Sequence, residues 1–136
     1  MSDEVGAQAP VLERTITSVD MVAYAGATWD WHRMHYDAAY LAGRNLPAPV
    51  VDGQVFGALL AEQLQDWLGP RAFVRRLHMR YKNLVFAGER VRCTAEITAV
   101  TTESGARVLT VAAQVAVAGE RPRVAVAPAG AEVLLP

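Results

Sequence analysis

Cysteine is nearly missing from this chain: Cys93 is the single one in 136 residues. A lone thiol closes no internal disulfide, so the fold has to stand on its core and needs no oxidising compartment. A dominant charge is missing too, with 13 basic against 14 acidic residues and a formal net charge of -1. That balance supplies no general attraction to nucleic acid or to an anionic membrane, and an anionic partner has to be met by a local patch. There is no run apolar and long enough for a membrane span. The most apolar late stretch, Val108 to Gly119, is broken by Gln114 and falls short of the ~18 residues or more that a bilayer requires. The start, Met1-Ser2-Asp3-Glu4, lacks the basic and apolar regions of a signal peptide. Repeats, low-complexity tracts and linkers are also lacking. The expectation is one domain over residues 1–136, frayed over the first ten, in the cytoplasm, with no nucleic-acid or membrane partner.

Apolar residues, by contrast, make up 52% of the chain, enough for a real core at this length. The segment that organises them runs from Val50 to Pro70. Val55, Phe56, Leu59, Leu60, Leu64, Trp67 and Leu68 recur at helical spacing, and Glu62, Gln65 and Asp66 leave only a narrow polar strip. Asp52 suits an N-cap, and Gly69-Pro70 supplies a left-handed stop followed by a residue that cannot continue a helix. A helix of about fifteen residues is a rod of roughly 23 Å, close to the width of a small domain, and something has to wrap around it.

The rest of the chain supplies the wrapping. Val11 to Thr17 reads as a short strand, followed by a helical turn through Met21, Val22 and Tyr24 that Ser18 or Asp20 caps and that ends near Gly26. After Pro70 the period changes to two: Leu77, Met79 and Tyr81 oppose Arg76, His78, Arg80 and Lys82. Val91, Cys93, Ala95, Ile97 and Ala99 form the apolar face of the next strand, a turn follows at Glu103-Ser104-Gly105, and Leu109 to Val117 returns. Gly119-Glu120 turns the chain again into a last strand beginning at Val124. One long apolar helix with several one-faced strands predicts an α+β layer in which an antiparallel sheet curls around the helix.

Residues 27–37, Ala-Thr-Trp-Asp-Trp-His-Arg-Met-His-Tyr-Asp, match neither period and are dense in aromatic and titratable groups. This is a structured loop of the kind that carries chemistry, and Asp37 caps a short helix after it. Asp30 is followed by His35 and Asp37, and after a turn-rich connector by Asp52-Gly53 at the start of the long helix. That spacing, with the helix and strands around it, resembles the MaoC-like hot-dog family, which includes R-specific enoyl-CoA hydratases. The resemblance covers about residues 11 to 127. It departs in three places: His32-Arg33 stands where Asn-Pro is usual, Asp52 where the family has a His before the Gly, and Ala61 where a Ser is often found.

The resemblance implies a hot-dog fold and a hydratase or dehydratase acting on trans-2-enoyl or 3-hydroxyacyl thioesters. Such chemistry needs a base for water, an acid for the α-carbon and donors for the thioester oxyanion. Asp30 and His35 would be the acid/base pair and the Gly53 amide the oxyanion donor. No cofactor is implied beyond the CoA- or carrier-linked substrate itself, and no metal, because the histidines have no evident ligand cluster beside them. An Asp52 carboxylate at the helix start would compete for the first-turn amides unless it turns away. Arg76, Arg80 and Lys82 are candidates for CoA phosphates, or form a solvated strand face. His32 either enters the site or points to solvent, and Trp29 and Trp31 line an acyl pocket or pack the loop. Pairing as a homodimer, or as a heteromer with a second hot-dog subunit, is implied as well. Two other readings stay open: a hot-dog thioesterase using Glu62, and a non-catalytic acyl-binding subunit.

Overall fold

The computed structural model describes residues 3–136. Its elements are β1 (Leu12–Thr15), α1 (Ser18–Thr28), a 3-10 turn (Arg33–His35), α2 (Ala38–Ala42), α3 (Gln54–Leu68), β2 (Phe73–Tyr81), β3 (Arg90–Glu103), β4 (Ala106–Ala118) and β5 (Arg123–Leu135). The five strands form one antiparallel sheet in the order β1-β3-β4-β5-β2. The expected helix is α3, and it lies against the sheet's apolar face. Leu60 and Leu64 are almost wholly enclosed. The N-terminal half of α3 packs with Val91, Cys93, Val115 and Val126, and its C-terminal half with Ile97, Leu109, Val111 and Val133.

Alternation in β3 is as the sequence predicts, with Val91, Cys93, Ala95 and Ile97 buried and Arg92, Thr94, Glu96 and Thr98 exposed. A strictly regular sheet would stay too flat to embrace a rod. Register shifts between Ile97 and Ala99, between Ala113 and Val115, and at two places in β2 supply the bends. Burial removes Cys93 from chemistry by pushing its thiol up to about 12.

Three expectations are corrected. Residues 3–10 are not frayed: Gly6 and Ala9 donate to the carbonyls of Ile97 and Ala95 at 2.8 and 2.9 Å, Ala9 is buried, and Asp3 pairs with Arg107. Residues 1 and 2 lie outside the described residues. The first helix continues past Gly26 to Thr28 and is capped by Thr17, not by Ser18 or Asp20. Thr17 Oγ1 accepts from the Asp20 amide while Asp20 Oδ2 accepts from the Thr17 amide, a reciprocal box that satisfies two donors at once. The hairpin meander holds for β3, β4 and β5, whereas β2 pairs with β5 at the far edge.

The connector from β2 to β3 is pinned to the sheet by Glu89. Its Oε1 accepts from the Phe86 amide at 2.9 Å and from Arg123 Nη2 at 2.5 Å, and Arg123 also donates to the Leu84 carbonyl. The Arg123 guanidinium holds the Glu89 carboxyl below its usual range. A depressed folded value means that the stabilisation is complete above the ordinary glutamate range and is lost as pH falls through the folded value. Glu89→Gln is therefore expected to cost about 2 kcal/mol at neutral pH, with the gap from the parent closing in acid. Thermal melts across a pH series check this, and a pH-independent gap would contradict it.

Candidate active site

The segment between α1 and α3 is built by short polar side chains that bond to nearby backbone. Trp29 ends α1 in the left-handed region at φ 59°, which turns the chain sharply and brings Asp30 back over the helix end, its amide donating to the Ala25 carbonyl at 3.2 Å. Asp30 Oδ1 accepts from the His32 amide at 3.2 Å, His32 Nδ1 from the Met34 amide at 3.2 Å, and Asp37 Oδ1 from the Tyr40 amide at 3.1 Å. The Met34 carbonyl then accepts from the Val50 amide at 2.9 Å, which sets the loop beside the start of α3.

His35 is buried, and its Nδ1 lies 2.6 Å from the Val50 carbonyl. A carbonyl only accepts, so Nδ1 donates, and in the neutral ring Nε2 then presents a lone pair. That nitrogen sits 3.7 Å from Asp30 Oδ2. At this separation the carboxylate and the neutral ring are two acceptors that one water molecule donating to both would bridge. The His32 amide, above all, holds the Asp30 carboxyl below its usual range, with the Asp52 carboxyl and the two imidazoles adding to it.

Asp52 joins this pair, which no local pattern in the sequence reveals. One carboxyl oxygen each from Asp30 and Asp52 and a ring nitrogen of His35 lie within 4.8 Å of one another. The expectation that the histidines have no donor cluster beside them is thereby corrected: long-range folding supplies one around His35. Asp52 is buried, and its Oδ1 accepts from the Gln54 amide at 2.9 Å, so it does cap α3 although it stands one residue ahead of the formal cap, Gly53. The feared competition for first-turn amides is limited to Gln54. The Gly53 amide takes part in no hydrogen bond among the described residues.

Gly53 itself is tightly flanked: a Cβ there would meet the Tyr81 ring at 2.7 to 2.9 Å. Tyr81, expected on the apolar face of its strand, is exposed and lies across the start of α3. It stays on the α3 side of its strand, as the alternation predicts, with Met79 and Leu77 beside Gly57 one turn further along the helix. His32 stays outside the close cluster, with its ring edge-on to His35 at 6.0 Å and to Tyr40 at 5.8 Å. Trp29 and Trp31 are both exposed, and Trp31 packs on Gly26 and edge-on to Tyr36, so the pair braces the loop on α1 and not on the sheet. Glu62 pairs with Arg14 on the outer strip of α3, apart from the cluster. Arg76 lies 3.4 Å from Glu132, while Arg80 and Lys82 are in no ion pair among the described residues.

A cavity of about 150 Å³ opens between β1, α1 and α3, lined by Tyr24, Val55 and Leu59 with Arg14, Thr15, Ile16 and Asp20. A larger cavity lies at the opposite end of α3, beside Leu68, Pro70 and Arg107, away from these groups.

A curled antiparallel sheet around one long helix, with an Asp/His pair at the helix start, defines a class. The family model described as the MaoC like domain matches residues 4–120, and the chain belongs to the MaoC-like hot-dog dehydratase family. Solved structures agree. The (R)-hydratase from A. caviae involved in PHA biosynthesis is 26% identical at a TM-score of 0.88, over 99% of this chain and 98% of that one. The ChsH1-ChsH2 complex from Mycobacterium tuberculosis is 24% identical at 0.83, over 99% and 100%. R-hydratase PhaJ1 from Pseudomonas aeruginosa is 22% identical at 0.85, over 98% and 82%. Curated protein sequences give no match. Among the described residues no helix is long and apolar enough to cross a membrane.

Proposed function

We propose that this chain is a hydratase or dehydratase that adds water to trans-2-enoyl thioesters, or removes it from 3-hydroxyacyl thioesters, with Asp30 and His35 as its acid/base pair. The observation that carries the proposal is the opposed pair of acceptors, Asp30 Oδ2 and His35 Nε2 at 3.7 Å, beside the unspent Gly53 amide. Water held between them loses a proton to Asp30 as its oxygen attacks the β-carbon. The negative charge grows on the thioester oxygen, where the Gly53 amide at the positive end of α3 donates to it. The proton taken by Asp30 passes by way of His35 to the α-carbon, which restores both groups, and dehydration runs the same steps backwards. The residues need no cofactor or metal for this, only a CoA- or carrier-linked acyl group.

Tyr24 borders both Asp52 and the small cavity, which favours an acyl group laid along Tyr24, Val55 and Leu59. Arg80 and Lys82, free of ion pairs among the described residues, suit the phosphates of CoA; Arg76 has first to leave Glu132. We further propose that the chain works in the cytoplasm, paired with a second copy or with another hot-dog subunit. Exposed Val19, Val22, Trp29 and Phe73 are surface that pairing would cover. The relatives include heteromers, the ChsH1-ChsH2 complex and the HadBC complex, both from Mycobacterium tuberculosis. The thioesterase reading is weaker because the Glu62 carboxylate is committed to Arg14.

The test is loss of enoyl absorbance when the purified protein meets trans-2-enoyl-CoAs from crotonyl to bulky branched acyl groups. Turnover supports the proposal, and its dependence on the acyl group maps the pocket. Hydrolysis of saturated acyl-CoA with no hydration would favour the thioesterase. Absence of both, alone and with a co-purified partner, would favour a non-catalytic subunit.

A further inference from the structure

Two glycines one turn apart on α3, Gly53 and Gly57, let the end of β2 come closer to the helix than side chains there would allow. A Cβ on Gly57 would lie 3.0 Å from the Met79 methyl, and one on Gly53 would lie 2.7 to 2.9 Å from Tyr81. The two contacts share one cause, since residues two apart on a strand and four apart on a helix both return to the same face. Beyond Tyr81 the chain is clamped to β5. The Lys82 amide donates to the Ala125 carbonyl at 2.8 Å, and Asn83 Nδ2 donates to the Val124 carbonyl at 2.7 Å. Strand geometry therefore carries the Tyr81 ring to the start of α3, and the missing side chain at residue 53 lets it fit there.

What reaches Gly53 is the hydroxyl end of that ring. The Tyr81 atoms nearest the missing Cβ are Cζ, Cε1 and Oη, with the oxygen at 2.9 Å. The Tyr36 hydroxyl is committed to the Trp31 carbonyl, whereas the Tyr81 hydroxyl takes part in no hydrogen bond among the described residues. Burial, reinforced by Asp52, holds the Tyr81 phenol above its ordinary value, so at neutral pH it keeps its proton. The Tyr24 phenol senses both Asp52 and Tyr81, and Tyr24 borders the cavity between β1, α1 and α3. Tyr81 thus stands at the Gly53 end of the surface along which the acyl group is laid.

We propose that Tyr81 is a further catalytic residue, whose hydroxyl donates to the thioester oxygen together with the Gly53 amide. The inference rests on the hydratase reading, in which that oxygen gains negative charge as water adds to the β-carbon. A carbonyl oxygen has two lone pairs, and a single amide serves only one of them. The amide comes from α3 and the hydroxyl from β2, and both are held by backbone before any substrate binds, which is what makes such donors effective. Glycine at 53 then has two uses: it leaves its amide open, and it admits the hydroxyl.

The other role for a ring in this place is passive cover of the helix start, and Tyr81→Phe separates the two. Phenylalanine keeps the ring against Gly53 and removes only the oxygen. In enoyl-CoA hydration its kcat is expected to fall about 10²-fold, the usual cost of one oxyanion donor, with KM and melting temperature near those of the parent. A parent-like kcat would overturn the proposal and leave the hydratase reading standing, because Asp30→Asn tests that reading separately. The second readout needs no turnover. Infrared difference spectra of crotonyl-CoA, isotope-labelled in its carbonyl and bound to Asp30→Asn, are expected to show the thioester stretch lowered relative to the free molecule. Part of that lowering should be lost when Tyr81→Phe is added. Equal stretches in the two proteins would overturn the proposal. So would a failure of Asp30→Asn to bind the thioester, which would leave the hydroxyl no oxygen to meet. If the parent hydrates nothing, the hydratase reading fails by itself, and the carbonyl stretch still decides whether Tyr81 touches the thioester.

Discussion

Asp30→Asn should lower kcat/KM for enoyl-thioester hydration by about 10²- to 10⁴-fold, the usual contribution of a positioned general base, with an unchanged melting temperature. The amide keeps an oxygen for the His32 N–H, so the turn that places residue 30 survives, and only the ability to take a proton is removed. His35 needs a different treatment. An alanine there would be expected to spare the fold if the residue merely sat on a loop, but His35 is buried and bonded to the Val50 carbonyl. His35→Ala leaves that carbonyl unpaired and a void beside it, a cost of about 1–3 kcal/mol. His35→Asn, which retains a donor, is the cleaner probe, and a rate loss of the same 10²- to 10⁴-fold size is expected. Steady-state kinetics together with thermal melts check both, and turnover near the parent rate in both variants would remove the pair from the chemistry. Gly53 is a poorer probe than its position suggests. An added Cβ meets the Tyr81 ring before anything else, so a lost rate would report a displaced tyrosine as much as a crowded amide.

Gly130→Ala should act in the opposite way, damaging the fold and sparing the site. A Cβ on Gly130 in β5 would lie 2.6 Å from the Val111 carbonyl oxygen on β4 and 2.8 Å from His78 Nε2 on β2. The His78 ring has some freedom, but the backbone of a central strand has little. The β4–β5 ladder has to open locally, and a loss of about 3 kcal/mol is expected. Gly130 stands opposite Ala112 and His78 in the ladders and is absent from the Asp30 cluster. The soluble fraction should therefore hydrate substrate at the parent rate below its lowered melting temperature. A melt unchanged within a degree or so would mean that β4 and β5 yield more easily than their pairing implies.

Long-period patterns explain what the sequence made legible. The apolar set of α3 and the alternation of β3 and β4 are each set by side chains repeated many times, and errors at single positions average out. The spacing from Asp30 to Gly53 was legible for another reason, its resemblance to the motif of a known family. What escaped depends on single long-range events. The N-terminal residues look featureless because their anchorage is made of backbone hydrogen bonds to Ile97 and Ala95, which any residue type can form. Asp52 reads as a helix cap, which it is; its place beside Asp30 and His35 needs Asp30 to return over α1, and that return is made at a tryptophan with φ 59°, a conformation no propensity assigns to it.

The sequence of caps along residues 30 to 54 has a thermodynamic meaning as well. Asp30, His32, Asp37 and Asp52 each tie down the backbone two or three residues ahead, and His35 is locked from the side by Val50. The conformational entropy of this segment is thus surrendered when the chain folds, not when a thioester arrives. In the proposed reaction an acyl group would meet groups already in place, and its binding free energy would be left available for the transition state.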